Sequence, residues 1–374
     1  MGYKDTLNKI TGADVAAMEA AREYCDTLIK PLGALGRLED IAIRLAGITG
    51  QTKNSFNKRA IVVMAADNGV YAEGVAMAPQ AFSRLQAVNM TRGICGVSVF
   101  ANAADADVVV IDIGLMDPAG TDAVISRNVK RGTDNMAKGP AMTRGEAETA
   151  IDAGFGLTED LFTKGYDLIG TGEMGIANTT STSACAIALL GLEPEIAVGR
   201  GAGLTDEALA NKVEVVKKAL AVNSPDKNDP VDTLSKVGGL DIAGLVGCYL
   251  AAASHRKPIL IDGAISSVAA LIAARLCPNA KDFMIATHRS TEPSYNATIK
   301  ELGLDPFLDM NMRLGEGSGC ALALPVIDGA CVMMNEMGTF ADISFDDSVL
   351  VDIRETETET ETESENEAGG ERNA

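Results

Sequence analysis

The chain of 374 residues contains no Trp, and only 4% of its residues are aromatic. Its seven cysteines are scattered with no C-x-x-C pair, which argues against a disulfide framework and favours a reducing compartment. No run of 18 uncharged apolar residues occurs, and the N-terminal segment lacks an apolar signal core. These absences argue against a secreted disulfide-rich protein and against a membrane-spanning one. They predict a cytoplasmic location.

Positive charge is also scarce, because 32 Lys and Arg residues stand against 52 Asp and Glu residues, a formal net charge of −20. A surface of that sign repels nucleic acid and anionic membranes, so neither is expected as a partner. Part of the excess lies in residues 351–374, whose Glu/Thr repeat has little apolar surface to bury and predicts a disordered acidic tail. Hydrophobic residues make up 47% of the chain, which is enough for a sizeable core.

Short apolar runs alternate with longer helical patterns through the middle of the chain. Because the runs are continuously apolar, helices are expected on both faces of the sheet they form, as in a doubly wound (Rossmann-like) parallel α/β fold. The predicted strands are 60–67, 106–114, 166–173, 195–201, 258–266 and 282–290. The predicted helices lie near 79–103, 144–164, 178–191, 205–223, 239–255 and 266–277.

The two ends of the chain predict a second, smaller unit. Residues 35–48 place Leu and Ile side chains on one stripe at helical spacing, and residues 318–338 also show a helical pattern. We therefore predict a small helical domain from residues 1–55 and 318–350, and a large α/β domain from residues 56–317. Ligands of such sheets bind beyond the carboxyl ends of the strands, so functional residues are expected there.

The segment GTGEMGIANTTS (170–181) carries the strongest local signal. Its glycines spell G-x-G-x-x-G between a predicted strand and a predicted helix, which is a dinucleotide-binding pattern. Glu173 lies within this loop, where its charge would face a pyrophosphate. A single phosphate fits better, because free backbone N–H groups and hydroxyls meet at a helix start formed by Asn178, Thr179 and Thr180. The alternative is that these residues only cap the helix.

A second glycine-rich segment, MRLGEGSGCALALP (312–325), holds Glu316 between two glycines. A carboxyl group in apolar surroundings has its pKa raised by loss of water, as a general base near neutral pH requires. A surface turn is the alternative. Lys212 lies in a predicted helix, where a solvated position is the simpler interpretation. The polar run THRSTE (287–292) has too few ligands nearby for a metal site.

Seven strings spread along the chain carry a family resemblance. They are KPLGALGRLE (30–39), AADNGVYAEGVAMAP (65–79), GEMGIANTT (172–180), KVGGLDIAGLVG (236–247), LIDGAIS (260–266), HRSTE (288–292) and MRLGEGSG (312–319). In this order they closely resemble the nicotinate-nucleotide–dimethylbenzimidazole phosphoribosyltransferase (CobT-like) family, over about residues 5–345. The resemblance implies transfer of 5-phosphoribose from nicotinate mononucleotide to an aromatic base, with release of nicotinate. It implies no metal and no organic cofactor, and usually a dimer.

The resemblance also implies roles for individual residues. Glu316 matches the proton acceptor of the family, and Glu173 matches a second active-site carboxylate. The phosphate and ribose of the substrate are expected at Gly175, Asn178, Thr179, Thr180, Lys212, Asp262 and Ser290. The acceptor base is expected beside Asn68, Ala78, Gln86, Arg313 and Leu314.

Two positions of the expected acceptor pocket depart from the family pattern. Asn68 stands where the family usually has His, and Ala78 stands where a Ser commonly touches the base. Gln86 matches the base-contacting Gln. The departures leave open whether the base is dimethylbenzimidazole or a relative, such as a phenol activated by a heterodimer of paralogous subunits, so a homodimer and a heterodimer are both possible. An NAD-dependent oxidoreductase, based on the glycine pattern, is a weaker alternative.

Overall fold

The structure, a computed structural model, describes residues 2–345, 350–352 and 354 and divides the chain into two units. The large unit consists of Met1–Ala13 and Phe56–Leu324, and the small unit consists of Asp14–Ser55 and Pro325–Ala374. The boundaries expected from the sequence placed all of residues 1–55 and 318–350 in the small unit. Most of the predicted acidic tail, residues 351–374, lies outside the described residues.

A six-stranded parallel sheet is the centre of the large unit. Its strands are β1 (Arg59–Ala66), β2 (Ala106–Gly114), β3 (Ile125–Ser126), β4 (Leu168–Met174), β5 (Ile259–Ile261) and β6 (Met284–Ala286), in the order β3-β2-β1-β4-β5-β6. A separate parallel pair is formed by β7 (His288–Ser290) and β8 (Leu308–Met312). The strand order changes direction between β1 and β4, and α/β sheets bind ligands at such a switch point.

Helices make up most of the rest of the described chain. They are α1 (Val15–Asp26), α2 (Arg37–Thr49), α3 (Phe82–Thr91), α4 (Gly96–Ala103), α5 (Arg144–Thr163), α6 (Asn178–Leu190), α7 (Pro194–Ala197), α8 (Asp206–Asn223), α9 (Pro230–Val237), α10 (Leu240–Ser254), α11 (Ala264–Leu276), α12 (Pro293–Leu302) and α13 (Ser318–Glu336). Of the helices described, α13 is long and apolar enough to cross a membrane, but 61% of the relevant window is buried inside the protein, which is usual for a core helix.

Burial and close backbone packing explain the composition of the large unit. Every residue of β4 is buried, and so is every residue of β1 after Arg59, as a sheet covered on both faces requires. Glycines bring α5 and α10 together: a Cβ at Gly154 would collide with the carbonyl oxygen of Gly244, and one at Gly247 with that of Ile151. The core therefore relies on close helix contact, with no Trp to fill it.

The doubly wound parallel sheet is confirmed, but several predicted elements are wrong. Residues 195–201 form no strand, because Pro194 begins a short helix, for which its fixed φ is suited, and a loop follows. The predicted strand 258–266 is a three-residue strand followed by the start of α11, and 282–290 is split between two sheets. The predicted helix 79–103 is interrupted at Gly93, whose φ is +79°. The strands β3 and β8 and the helices α9 and α12 were not predicted.

Candidate active site

The polar residues predicted to carry chemistry meet at the carboxyl ends of the central strands. Asn68 follows β1, Glu173 lies near the end of β4, and Asp262 follows β5. All three side chains are buried. The Glu316 segment lies directly against the end of β4, because a Cβ at Gly172 would collide with the carbonyl oxygen of Glu316. The sheet thus brings together residues that are far apart in the sequence.

The segment that carries Glu316 has an unusual backbone. Gly315, Glu316 and Gly317 have φ values of +77°, +65° and +94°, three left-handed residues in succession. That conformation costs a residue with a side chain about 1–2 kcal/mol. The flanking glycines therefore allow the turn, while Glu316 itself is held in it by its surroundings. Backbone strain of this kind is typical of functional sites.

Both carboxylate oxygens of Glu316 have defined partners. Oε1 accepts a hydrogen bond from Nε2 of Gln86 at 2.8 Å, and Oε2 accepts one from the backbone N–H of Val97 at 3.1 Å. Val97 lies in the first turn of α4, where the helix dipole favours a negative charge. The side chain is 5% exposed. The surface turn considered from the sequence is therefore wrong, and the carboxylate is fixed in one orientation inside the large unit.

Glu173 shares a hydrogen-bond donor with a second buried acid, Asp241. Nδ2 of Asn178 donates to Oε2 of Glu173 and, at 3.0 Å, to Oδ2 of Asp241. Burial and the nearby Asp241 raise the pKa of Glu173 to about 8, and burial raises the pKa of Asp241 to about 6. At neutral pH Glu173 is therefore mainly protonated and Asp241 mainly ionised. The segment that carries Glu316 lies against this carboxyl group, because a Cβ at Gly315 would collide with Oε1 of Glu173.

The raised pKa of Glu173 predicts a pH dependence of stability. The unfolded chain loses this proton near pH 4.5 and the folded chain near pH 8, so the stabilisation from Glu173 is present below pH 4.5 and is lost as the pH rises to about 8. We expect the free energy of unfolding of the wild type to fall between pH 5 and pH 8, by on the order of 3 kcal/mol more than that of Glu173→Gln. Urea denaturation at several pH values measures this difference. If the free energy of unfolding changed with pH equally in the two proteins, Glu173 would be ionised in the folded protein over this whole pH range, and its pKa would not be raised.

Lys212 is the centre of a second polar group. Its Nζ donates to Oγ1 of Thr179 at 2.8 Å and to the carbonyl oxygen of Gly199 at 2.9 Å. The side chain is fully buried, so the solvated position considered from the sequence is wrong. Burial lowers the pKa of Lys212 to about 8, which the charge of nearby Glu292 opposes. A buried ammonium group with neutral hydrogen-bond partners is suited to an anionic ligand.

Glu292 connects this group to Ser290. Oε1 of Glu292 accepts from the backbone N–H of Gly201 at 2.9 Å, and Oγ of Ser290 accepts from the backbone N–H of Glu292 at 3.3 Å. Thr180 is buried at the start of α6, and its hydroxyl has no hydrogen-bond partner within the described part of the chain. Lys212, Thr179 and Thr180 thus lie together at the start of α6, where an anion is favoured.

The remaining predicted residues differ in exposure. Asn68 is fully buried beneath Gly175, and its Oδ1 accepts from Oγ of Ser181 at 3.4 Å. Nδ2 of Asn68 has no hydrogen-bond partner in the residues that the structure covers. Ala78 is half-buried in the segment before α3, whereas Arg313 and Leu314 are exposed beside Glu316.

Asp241 is the main residue that the sequence analysis missed. It lies in the string KVGGLDIAGLVG, as a single acid in an otherwise apolar helix start, which was the available signal. Over residues 2–345, 350–352 and 354, no group of three or more His, Cys, Asp or Glu side chains is arranged to hold a metal ion.

Comparisons with known proteins identify the family. A family model described as Phosphoribosyltransferase matches residues 10–344. A nicotinate-nucleotide–dimethylbenzimidazole phosphoribosyltransferase of Acetivibrio thermocellus is 48% identical over 337 residues, which cover 90% of this chain and 96% of the relative. The protein of the same name from Clostridium tetani is 46% identical over 353 residues, covering 94% and 98%. The crystal structure of CobT from Thermus thermophilus matches with a TM-score of 0.85 and 39% identity, covering 88% of this chain and 99% of that one.

These matches extend over nearly the whole chain and agree with the doubly wound sheet. They do not favour the heterodimeric phenol-activating subunit or the oxidoreductase that the sequence left open. The chain is an enzyme and belongs to the nicotinate-nucleotide–dimethylbenzimidazole phosphoribosyltransferase family.

Proposed function

We propose that this phosphoribosyltransferase moves 5-phosphoribose from nicotinate mononucleotide to 5,6-dimethylbenzimidazole or a related base. The products are nicotinate and the α-riboside 5'-phosphate of the base. The observation that carries the proposal is the Glu316 carboxylate, which Gln86 and Val97 hold from two sides at the end of the sheet. The names and the coverage of the relatives support the same reaction.

The chemistry assigns a different task to each acid. The ring nitrogen of nicotinate is cationic while it is bonded to ribose, so nicotinate leaves readily and C1 acquires the character of an oxocarbenium ion. Ionised Asp241, beside protonated Glu173, supplies negative charge at the end of β4 that stabilises this cation. One ring nitrogen of the acceptor base bonds to C1 with its free electron pair as the bond from C1 to nicotinate breaks. The N–H group of the other ring nitrogen then becomes acidic, and Glu316 accepts its proton.

The Lys212 group is proposed to bind the substrate phosphate. The ammonium group, the hydroxyls of Thr179, Thr180 and Ser290 and the backbone near Gly175 together offer one positive charge and several donors near the start of α6. A phosphate bound there would restore the pKa of Lys212 that burial lowers. Asn178 extends from the same helix start to Glu173, so the phosphate and the reacting carbon are anchored by neighbouring residues.

The acceptor base is proposed to approach Glu316 from the side of Gln86. Exposed Arg313 and Leu314 lie next to Glu316 and would border this approach, and Ala78 lies in the segment that leads to α3. Asn68 is buried beneath Gly175, so it is proposed to influence the base indirectly. We further propose that the enzyme is cytoplasmic and works as a homodimer, with a paralogous partner as the alternative.

A competition assay tests the proposal. The purified chain is incubated with nicotinate mononucleotide and equal concentrations of dimethylbenzimidazole, adenine, phenol and p-cresol, and the products are separated and weighed by mass spectrometry. We expect the N-riboside phosphate of dimethylbenzimidazole as the main product. A phenolic O-riboside as the main product, or turnover only after a second chain is added, would favour the heterodimeric alternative. Absence of any riboside phosphate would overturn the proposal.

A further inference from the structure

The environment of Asp262 does not suit the ribose contact that the family resemblance implies. Its side chain is 1% exposed. Oδ2 accepts a hydrogen bond from the backbone N–H of Gly317 at 3.1 Å, and Oδ1 accepts one from the backbone N–H of Gly319 at 2.7 Å. Each oxygen of this buried carboxylate therefore already accepts a hydrogen bond from the backbone of the protein itself.

The two glycines bonded to Asp262 belong to the segment that carries Glu316. Gly317 follows Glu316 directly, and Gly319 lies in the first turn of α13, where backbone N–H groups lack partners within the helix. The Asp262 carboxylate satisfies the N–H group of Gly319 as well as that of Gly317, and it interacts favourably with the helix dipole. The same segment packs against the sheet, with Gly317 against Ile61 of β1 and Gly172 of β4. The sheet supports the strained turn by packing, and Asp262 adds the hydrogen bonds that fix the direction of its backbone.

We propose that Asp262 is a positioning residue that holds the Glu316 segment in its left-handed backbone conformation and so fixes the direction of the Glu316 carboxylate. The proposal rests on the proposed function, in which Glu316 accepts the proton. Without the two hydrogen bonds to Asp262, the turn can relax to an unstrained conformation. The carboxylate would then lose the positions at Gln86 and Val97 that its two oxygens occupy.

Asp262→Asn provides the first test, because the amide preserves the size but presents an N–H₂ group to one of the glycine N–H groups. We expect kcat to fall about 10- to 100-fold, the range that misplacement of a reacting group produces, with a KM for nicotinate mononucleotide within about threefold of the wild type. A residue that bound ribose would instead raise KM. Circular dichroism and thermal unfolding monitor folding, and Asp262→Ser, in which water can replace the carboxyl group, is the second variant if the first does not fold.

The acidity of the acceptor provides a readout that a merely structural role would not change. With a series of benzimidazoles of graded N–H acidity, we expect the loss in kcat to be smallest for the most acidic base, in Asp262→Asn and in Glu316→Gln alike. The double variant should have a kcat within about twofold of that of Glu316→Gln alone. Once the Glu316 carboxylate is absent, a change in its position has no effect on the rate.

Asp112→Asn is the matched control. Asp112 is also a buried acid near the end of a strand, β2. It accepts hydrogen bonds from the backbone N–H of Leu115 at 2.9 Å and from Nδ2 of Asn128 at 2.8 Å, and neither partner belongs to the proposed site. The kcat of Asp112→Asn should remain that of the wild type.

If Glu316→Gln keeps full activity, Glu316 is not the proton acceptor, whatever the effect of Asp262→Asn. If Glu316→Gln loses activity while Asp262→Asn raises only KM, or the two losses multiply, the positioning role is overturned.

Discussion

Glu316→Gln is expected to lose about 10²- to 10⁴-fold in kcat, with a KM for nicotinate mononucleotide within about threefold of the wild type. The amide has the size of the carboxylate and keeps an acceptor for the hydrogen bonds of Gln86 or Val97, but it cannot take a proton. The loss therefore falls on the step in which the N–H group of the acceptor base is deprotonated. Steady-state rates with dimethylbenzimidazole, measured over a range of both substrates, separate kcat from the two KM values.

Glu301→Gln is the control for this prediction, because it changes the net charge equally at an exposed position of α12. Full activity is expected from it. If Glu316→Gln retained most of the wild-type kcat, or lost activity only through a higher KM for the nucleotide, Glu316 would not be the proton acceptor.

Lys212→Met is expected to raise the KM for nicotinate mononucleotide about 10- to 100-fold, the range of a lost hydrogen bond to a charged group. Met has a similar length and no charge, so it fills the buried position without the ammonium group that contacts Thr179 and Gly199. Nicotinate riboside lacks the phosphate, so its binding distinguishes the loss of a phosphate contact from a general disturbance of the binding site. Its binding, measured by calorimetry, should be the same for Lys212→Met and the wild type.

Lys218→Met removes the same charge from an exposed position of the same helix, and its KM should be unchanged. Equal losses of nucleotide and riboside binding in Lys212→Met would mean that Lys212 supports the fold of the site without contacting the phosphate.

The sequence predicted the fold best where strands are long and buried. β2 was predicted at the bounds observed, and β1 and β4 within a few residues, because a continuous apolar run in a covered strand is a strong pattern. β3, β5 and β6 have two or three residues each, too few for a pattern to define their ends. The error at 195–201 has the same origin, since an apolar run of that length fits a short helix equally well.

For the candidate site, the sequence does contain a signal for the buried position of Lys212. Lys212 shares helical spacing with the buried residues Val215, Val216 and Ala219, so the periodicity of α8 places it on the buried face. Other features were beyond any local pattern. The hydrogen bonds from Gln86 to Glu316 and from Asn178 to Asp241 join residues 230 and 63 positions apart, and only the fold brings them together.

A crystal structure of Glu316→Gln with nicotinate mononucleotide and dimethylbenzimidazole bound tests the central claim most directly. We expect the N–H nitrogen of the base to lie about 2.6–3.2 Å from the side-chain amide at position 316, and its other ring nitrogen to face C1 of a ribose whose phosphate contacts Lys212. If the N–H nitrogen instead contacted another acid, such as Glu173, or lay beyond hydrogen-bond reach of position 316, the assignment of Glu316 as the proton acceptor would be contradicted.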